Sequence, residues 1–289
     1  MSYNKIDYTG KNVVVTGAAS GMGKAVKDLI GELGANIYAY DRNPVEGNIK
    51  KWIKIDQGDK VSLDAAAAQL PDRIDAVFHC SGVAGTVYAG ATFTPLDVVR
   101  INYIGSRYIV ESIIPKMPEN SAITMISSIA GMGWRSHIAD YAEFVRINDW
   151  DETLRYAVER EDDANFYAGP EGSNRAYTFA KECMNIYMTD RSWELSGKRI
   201  RINTISPGAV STPMHDDFNQ LVGKKRGTTM PISLCGAEGT GEEMASVMLF
   251  LNSDMAAYVS GVDIPVDYGM LAGITMKSAA PSPVMNAQK

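Results

Sequence analysis

The sequence has few of the residues that build metal centres and disulfide frameworks. Its 289 residues include only three cysteines and three histidines. The cysteines are Cys80, Cys183 and Cys235, and the histidines are His79, His137 and His215. Neither set has the close spacing of metal ligands, and an odd number of cysteines forms no complete disulfide framework. We therefore expect no metal site, and cysteines that remain reduced thiols in a cytoplasmic protein.

Long hydrophobic runs and clusters of positive charge are also missing. No apolar stretch reaches membrane-spanning length, and the first eight residues lack the apolar core of a signal peptide. The net charge is -6, and no basic run occurs, which argues against a nucleic-acid partner. Hydrophobic residues make up 45% of the chain and charged residues 21%. This balance is typical of a globular protein with a sizeable core, and predicts neither a membrane nor a nucleic acid as partner.

Short β-branched runs alternate with helical patterns along the chain. The predicted strands are residues 12–16, 36–41, 52–56, 76–80, 122–128, 199–205 and 261–267. The predicted helices are residues 22–33, 61–70, 96–103, 105–114, 175–195 and 242–251. This alternation predicts an α/β fold, a single doubly wound Rossmann-type domain whose seven-stranded parallel sheet has helices on both faces. We expect the domain to span residues 1–272 and a C-terminal tail to span residues 273–289.

A glycine-rich turn separates the first predicted strand from the first predicted helix. It reads Thr16-Gly17-Ala18-Ala19-Ser20-Gly21-Met22-Gly23. Gly17 and Gly21 allow a tight turn and a close approach of the backbone to a pyrophosphate, and Gly23 allows the helix to pack closely on the sheet. The free N–H groups at the helix N-terminus, near Ser20 and Met22, would face the phosphates. The turn therefore predicts a dinucleotide site.

Aspartates stand at the ends of the next two predicted strands. Asp41 follows Gly23 by 18 residues, where a carboxylate accepts hydrogen bonds from both ribose hydroxyls of NAD and repels the 2′-phosphate of NADP. The neighbouring Arg42 is suited to bind that phosphate, but Asp41 holds the strand end, and we predict NAD. Asp56 is placed to bond the adenine amino group, although a turn aspartate before Gly58 explains it nearly as well.

Tyr177 and Lys181 lie four residues apart in a predicted helix, so that both side chains point into one cleft. A phenol titrates near ~10, and a neighbouring ammonium, together with a positive nicotinamide ring, favours the phenolate. Tyr177 can then act as general base on an alcohol or as general acid toward a ketone. Ser128, at a strand end, can hydrogen-bond the substrate oxygen. These residues predict hydride and proton transfer.

In their order along the chain, these motifs resemble the short-chain dehydrogenase/reductase family. The shared pieces are the glycine turn, Asn102, Ser128, Tyr177 with Lys181, and Pro207-Gly208-Ala209-Val210-Ser211-Thr212. The resemblance implies that Asn102 holds a water molecule that links Lys181 to solvent. It also implies that Gly82 approaches the adenosine ribose, and that Val210 and Thr212 contact the carboxamide or the pyrophosphate of the cofactor. Homodimers and homotetramers are the usual assemblies in that family.

Two departures separate the chain from the family pattern. The family's Asn-Asn-Ala-Gly segment is here His79-Cys80-Ser81-Gly82, and Ser128 and Tyr177 are 49 residues apart, far more than is usual. We expect a helical insertion at about residues 132–173, with Asp149 capping a helix whose apolar stripe is Trp150, Leu154, Ala157 and Val158. The insertion would roof a large substrate, replace the usual subunit contact, or form a surface excursion.

The long insertion and the Asp41–Arg42 pair resemble the bacterial 3α-hydroxysteroid dehydrogenase/carbonyl reductase branch, and coniferyl-alcohol dehydrogenases share much of the same pattern. The resemblance implies an NAD-dependent alcohol dehydrogenase/ketone reductase for a bulky apolar secondary alcohol, with a 3α-hydroxysteroid or bile acid as the first choice. An aromatic, coniferyl-type alcohol is the second. A non-catalytic NAD-binding regulator is the alternative of another class, and the retained catalytic residues argue against it.

The segment after Thr212 is expected to form an apolar lid over the substrate. In the family, the segment between Thr212 and Cys235 closes over the substrate, and here it contains flexible-looking glycines and apolar side chains. The apolar residues are Met214, Phe218, Leu221 and Met230. Methionine adapts to irregular apolar shapes, which suits a flat polycyclic ligand.

Overall fold

Seven parallel strands form one sheet in a computed structural model that describes residues 6–85, 87–88, 91–169, 174–214, 217 and 235–278. The strands are β1 (Asn12–Thr16), β2 (Asn36–Asp41), β3 (Lys51–Lys54), β4 (Ala76–His79), β7 (Ala122–Ile126), β8 (Arg201–Pro207) and β9 (Asp263–Val266). Their order across the sheet is β3-β2-β1-β4-β7-β8-β9. A short antiparallel pair, β5 (Val87–Tyr88) and β6 (Ala91–Thr92), lies outside this sheet. The predicted seven-stranded parallel sheet is confirmed.

Helices connect these strands. They are α1 (Gly21–Glu32), α2 (Lys60–Ala67), α3 (Pro95–Val99), α4 (Ser106–Ile113), α5 (Ile138–Arg146), α6 (Trp150–Val158), α7 (Arg175–Ser196), α8 (Gly241–Asn252) and α9 (Met270–Ser278). A π-helical segment (Arg100–Gly105) joins α3 to α4, and 3₁₀ segments cover Ile114–Lys116, Ile129–His137 and Asp254–Ala256. In the part of the chain that the structure describes, no helix combines the length and the apolar character needed to cross a membrane.

The sheet is buried on both faces, which explains its nearly continuous apolar strands. Successive residues of a strand point to opposite faces. Val14 and Val77 accordingly join a core with residues of α2, α4 and α7, whereas Val15 and Phe78 join a second core with residues of α1 and α8. The strand ends are therefore held rigidly between two layers of helices.

Several predicted boundaries need correction. The sixth predicted strand begins at Arg201, because Arg199 has a left-handed φ of 53° that interrupts the strand. The third strand ends at Lys54, so that Asp56 lies in the following turn. The predicted break between two helices near Ile104 is the π-helical segment, which continues the chain without a loop.

The predicted C-terminal tail is also partly helical. Helix α9 crosses the expected boundary after residue 272 and ends at Ser278. Its start is fixed by Asp267, whose carboxylate accepts hydrogen bonds from the backbone N–H groups of Gly269 (2.9 Å) and Leu271 (2.6 Å). This side-chain capping favours a helix over a loose chain. The rest of the predicted tail, residues 279–289, lies outside the described residues.

The insertion contains α5 and α6. The side chain of Asp149 accepts a hydrogen bond from the backbone N–H of Glu152, as expected of an N-cap. Trp150 and Ala157 are buried as predicted, but Val158 is 48% exposed and Thr153 is buried instead. Residues 170–173 of the predicted insertion lie outside the described residues.

Aromatic side chains fix the insertion to the rest of the domain. Phe144 of α5 and Phe166, which follows α6, lie 5.6 and 4.7 Å from Phe179 of α7, measured between ring centroids. Tyr141 of α5 meets the same ring edge-on at 4.8 Å. The insertion therefore packs against Phe179 of α7, the helix that also carries Tyr177.

Candidate active site

The strand order reverses between β1 and β4, and a groove opens beyond their carboxyl ends. Such a switch point is where doubly wound sheets bind ligands. A cavity of about 140 Å³ and a second of about 270 Å³ lie there. The residues that line both are Met22, Cys80, Ser81, Gly82, Val83, Thr212 and Met214. The two cavities therefore form one groove along the top of the sheet.

The glycine turn forms the floor of the smaller cavity. Gly17 has a φ of 68°, and a Cβ there would lie 3.0 Å from the backbone of Ser81. A Cβ on Gly23 would lie 2.1 Å from the carbonyl oxygen of Gly17, so only glycine fits this close contact. Ser20, the N-cap of α1, makes no side-chain capping bond in the described structure. The first N–H groups of α1 can therefore serve an anion, and the turn fits a pyrophosphate.

Asp41 stands at the far end of this cavity. Its two carboxylate oxygens accept hydrogen bonds from the backbone N–H groups of Ala19 (3.0 Å) and Asn43 (2.8 Å). These bonds fix the carboxylate while leaving each oxygen further acceptor capacity. Arg42 lines the same cavity with an exposed side chain. Asp56 lines the cavity too, and its carboxylate accepts a hydrogen bond from the N–H of Gly58 (2.9 Å). Asp56 is therefore a turn residue that also lies in the groove.

Tyr177, Lys181 and Ser128 line the larger cavity together. Both α7 residues face it, with Lys181 Nζ 5.6 Å from the centroid of the Tyr177 ring. The ammonium is held by a 2.7 Å hydrogen bond to the carbonyl oxygen of Ile126, the last residue of β7. Ser128 hydrogen-bonds Tyr177 through its side chain, and its Oγ also accepts from the N–H of Ala130 (3.1 Å). The three side chains predicted from sequence are thus brought to one point.

Burial controls the proton affinities of this site. It raises the pKa of Tyr177 to about 12, and the hydrogen bond from Ser128 offsets this only in part. Burial also lowers the pKa of Lys181 to about 7. Desolvation of both groups therefore opposes the predicted effect of the ammonium on the phenol. The other predicted contribution, a positive nicotinamide ring beside the phenol, stays a prediction.

Asn102 lies in the π-helical segment and is fully buried. Its side chain bonds the backbone of Val83 twice, as acceptor from the N–H (2.8 Å) and as donor to the carbonyl (2.9 Å). Gly82 permits this contact, because a Cβ there would lie 2.9 Å from Asn102 Oδ1. Asn102 therefore fixes the segment after β4. Its predicted role toward a water molecule beside Lys181 stays a prediction.

The segment after β8 closes the groove from the opposite side. Val210 lines the larger cavity, and Thr212 lines both. The Thr212 hydroxyl donates to the carbonyl of Val210 (3.4 Å). Met214, the first predicted lid residue, also lines both cavities. The other lid residues, Phe218, Leu221 and Met230, lie outside the described residues, as does His215.

Some lining residues were not predicted. Cys80, Ser81 and Val83 follow β4 and line both cavities, and Asn174 lines the larger one just before α7. Each of these residues lies directly after a central strand or directly before α7. This position in the sequence could have identified them as residues of the groove. The residues described for α5 and α6 line neither cavity, so they do not roof the groove. Among the described residues, no three His, Cys, Asp or Glu side chains are placed to hold a metal ion.

Comparisons with known proteins match this architecture. A family model for short chain dehydrogenase matches residues 11–142, and one for Enoyl-(Acyl carrier protein) reductase matches residues 167–271. Coniferyl-alcohol dehydrogenase from Pseudomonas sp. (strain HR199 / DSM 7063) is 26% identical over 263 residues, which cover 91% of this chain and 97% of the relative. A 3-alpha-hydroxysteroid dehydrogenase/carbonyl reductase from Comamonas testosteroni is 27% identical over 267 residues, covering 89% and 95%.

A solved structure supports the same fold. The 3-alpha-hydroxysteroid dehydrogenase from Pseudomonas sp. B-0831, complexed with NADH, has a TM-score of 0.72 and 22% identity, covering 91% of this chain and 98% of the other. Fold, groove and family models together define a Rossmann-type oxidoreductase. The chain belongs to the short-chain dehydrogenase/reductase family.

Proposed function

We propose that the protein is an NAD-dependent dehydrogenase/reductase that interconverts a bulky apolar secondary alcohol and its ketone, with a 3α-hydroxysteroid or bile acid as the substrate class. The observation that carries this proposal is the continuous groove, which has Asp41 at one end and Tyr177, Ser128 and Lys181 at the other. Its position beyond the carboxyl ends of the strands suits a dinucleotide laid across the sheet, and its lining beside Tyr177 suits an apolar substrate.

The cofactor would be held by the groove residues predicted from sequence. They are Gly17, Ser20, Gly21, Met22, Gly23, Asp41, Arg42, Asp56, Gly82, Val210 and Thr212, with Tyr177 and Lys181 at the nicotinamide end. A bound NAD supplies the hydride acceptor for alcohol oxidation, and NADH the hydride donor for ketone reduction. The N–H groups at the start of α1 would bind the pyrophosphate, and the fixed Asp41 carboxylate would select the unphosphorylated ribose.

The proton chemistry belongs to the side chains of the larger cavity. Tyr177 Oη takes the hydroxyl proton in oxidation and returns it in reduction. Ser128, which already bonds that phenol, holds the substrate oxygen beside it. Lys181, fixed by Ile126, places its charge near the ring and favours the phenolate. Asn102 is proposed to hold the water that connects Lys181 to solvent.

The lining of the larger cavity supports an apolar substrate. Lys181 is the only charged side chain among its described lining residues, and Val83, Ile129, Ala130 and Met214 present apolar surface. This lining offers no arginine for a carboxylate or phosphate at the reacting end. A steroid-type alcohol fits such a site, and the similarity to the 3-alpha-hydroxysteroid dehydrogenase/carbonyl reductase of Comamonas supports the same choice. The similarity to coniferyl-alcohol dehydrogenase supports an aromatic alcohol as the second candidate.

A substrate panel tests the proposal. Purified protein is assayed for NADH formation with 3α-hydroxysteroids, bile acids, coniferyl-type alcohols and short aliphatic alcohols. We expect the largest kcat/KM for the steroid-type alcohols. A larger value for the coniferyl type would select the second candidate. Tight NAD binding without turnover of any alcohol or ketone would contradict an enzyme and support a non-catalytic NAD-binding regulator.

Removal of the Asp41 charge tests the cofactor assignment. Asp41→Asn keeps the size of the side chain but no longer repels a 2′-phosphate, and it weakens the bonds to the ribose. We expect kcat/KM with NAD to fall by about 10- to 100-fold, and the preference for NAD over NADP to fall at least as much. Asp56→Asn is the matched control and should change the preference by less than about threefold. An unchanged preference in Asp41→Asn would show that Asp41 does not select the cofactor.

We also propose that the protein acts in the cytoplasm as a homodimer or homotetramer, without a nucleic-acid or membrane partner. Exposed aromatic side chains are available for self-association: Trp193 is 83% exposed, Tyr258 fully exposed and Tyr268 83% exposed. Light scattering at micromolar concentration should give the mass of two or four chains. Trp193→Ser together with Tyr258→Ser should lower that mass, and a monomeric parent protein would contradict the proposal.

A further inference from the structure

His79 is a buried titratable residue that the proposed mechanism does not use. It ends β4, where it pairs with Thr16 of β1 on one side and Met125 of β7 on the other. The residue after Met125 is Ile126, whose carbonyl holds Lys181 Nζ. His79 is fully buried, and its Nε2 has no hydrogen-bond partner among the described residues. Buried polar atoms are usually bonded, so this nitrogen requires an explanation.

The hydrogen bonds of Gln57 determine which way its side-chain amide points. Gln57 Nε2 lies 2.7 Å from the carbonyl oxygen of Ile101 and 3.0 Å from Ser106 Oγ. A carbonyl oxygen can only accept, so the atom facing it must be the amide nitrogen. Gln57 Oε1 consequently faces the Ser81 hydroxyl, and the two are hydrogen-bonded. Because Oε1 can only accept, the single hydroxyl hydrogen of Ser81 points to Gln57.

The direction of the Ser81 hydrogen bond determines where the hydrogens of the Thr16 hydroxyl and the His79 ring lie. Thr16 Oγ1 lies 2.7 Å from Ser81 Oγ, and because the Ser81 hydrogen is already used, the Thr16 hydroxyl must donate to Ser81. Thr16 Oγ1 also accepts from the backbone N–H groups of Cys80 (3.0 Å) and Ser81 (3.1 Å). His79 Nδ1 lies 3.0 Å from the same oxygen. Because the Thr16 hydrogen is directed to Ser81, a hydrogen bond between Thr16 and His79 requires Nδ1 to be the donor, and Nε2 of the neutral ring then carries a lone pair.

We propose that His79 is a positioning residue of the catalytic centre, held as the Nδ1–H tautomer so that Nε2 accepts a hydrogen bond from the Lys181 ammonium or from the water molecule that it binds. This inference rests on the proposed function. The chain Gln57–Ser81–Thr16–His79 begins at a residue that lines the smaller cavity. It ends at His79, whose strand partner Met125 directly precedes the Ile126 carbonyl that holds Lys181. In this series of hydrogen bonds, each hydrogen has one assigned acceptor. The series takes the place of the side-chain contacts of the family's Asn-Asn-Ala-Gly segment.

The charges around His79 agree with this role. Burial lowers the pKa of His79 to about 3, and the charge of Lys181 lowers it further, so the ring stays neutral in any ordinary assay. The charged group that acts on the ring is Lys181 from α7. The thiol of the next residue, Cys80, lies 3.9 Å from Met248 Sδ of α8, in the core on the other face of the sheet. An acceptor at Nε2 favours the protonated form of Lys181. Loss of that acceptor would leave less ammonium to stabilise the Tyr177 phenolate, so alcohol oxidation would require a higher pH.

The tautomer can be measured without turnover. Long-range ¹H–¹⁵N spectra of the full protein between about pH 6 and 9 distinguish the two neutral imidazole forms. We expect one of the three histidines, absent in His79→Asn, to show a protonated Nδ1 and no titration. Ser81→Ala removes the acceptor of the Thr16 hydroxyl, which can then donate to Nδ1 and move the ring toward the Nε2–H form. A parent protein with the proton on Nε2 of His79 would overturn the proposal.

Two substitutions separate positioning from packing. Asn at position 79 keeps a donor near Nδ1 but has no acceptor at the Nε2 position, whereas Gln restores an acceptor there. We expect His79→Asn to move the acidic limb of the kcat/KM profile for alcohol oxidation upward by about 0.5 to 1 pH unit, and His79→Gln by less than about 0.3 unit. Equal shifts in both, or none in His79→Asn, would overturn the proposal. Failure of the parent protein to oxidise any alcohol would instead count against the proposed function and leave the tautomer measurement valid.

Discussion

Replacing Tyr177 with phenylalanine is expected to lower kcat for alcohol oxidation by about 10³-fold, within the range that positioned acid–base groups contribute. The ring is 5% exposed and packed in the α7 core, and phenylalanine keeps this packing while removing only the proton-carrying oxygen. The dissociation constant for NAD should stay within about threefold, because we propose that the glycine turn and Asp41 hold most of the dinucleotide. Steady-state kinetics and fluorescence titration with NADH measure the two quantities.

Tyr187 on the same helix provides the matched control. It is also buried, but its hydroxyl donates to Glu111 Oε1 (2.7 Å) and lines neither cavity of the groove. Tyr187→Phe should cost about 1 to 3 kcal/mol of unfolding free energy and leave kcat within about twofold. If Tyr177→Phe kept full activity on every alcohol that the parent oxidises, the proposed proton transfer would be wrong.

The parts of the fold that follow from local chemistry could be predicted from the sequence. The first strand, the glycine turn and α1 are set by β-branched residues, by glycine conformation and by helix-forming residues, all within one short segment. Asp41 and Ser128 could be assigned to the groove because parallel strands place their carboxyl ends at one edge of the sheet.

Other features depend on packing between distant segments. The π-helical segment is set by contacts of buried Asn102 with Val83 and of Gln57 with Ile101, which no local pattern reveals. The raised pKa of Tyr177 depends on burial by several segments, and this desolvation is not visible in a sequence argument about charges. The protonation order around His79 likewise requires knowledge of the partners that fix the Gln57 amide.

Gly23→Ala is expected to raise the dissociation constant for NAD by about 100-fold and to lower the melting temperature by several degrees. The new Cβ would lie 2.1 Å from the carbonyl oxygen and 2.7 Å from the carbonyl carbon of Gly17. Both atoms belong to the backbone of the turn, which cannot move aside as a flexible side chain would. Relief of the contact therefore displaces the turn that is proposed to face the pyrophosphate. Titration with NADH and thermal unfolding measure the two effects.

Gly31→Ala tests whether this effect belongs to the turn or to any added methyl group on α1. Gly31 lies in the same helix, but its new Cβ would meet Asn48 at 3.4 Å and Ile37 at 3.5 Å, which are ordinary contacts. Alanine is also the better helix former, by about 1 kcal/mol. Gly31→Ala should therefore keep NAD binding within about twofold and retain or raise the melting temperature. Equal losses in both variants would assign the effect to α1 as a whole, whereas normal binding in Gly23→Ala would show that the turn tolerates a side chain and does not need glycine to approach the cofactor.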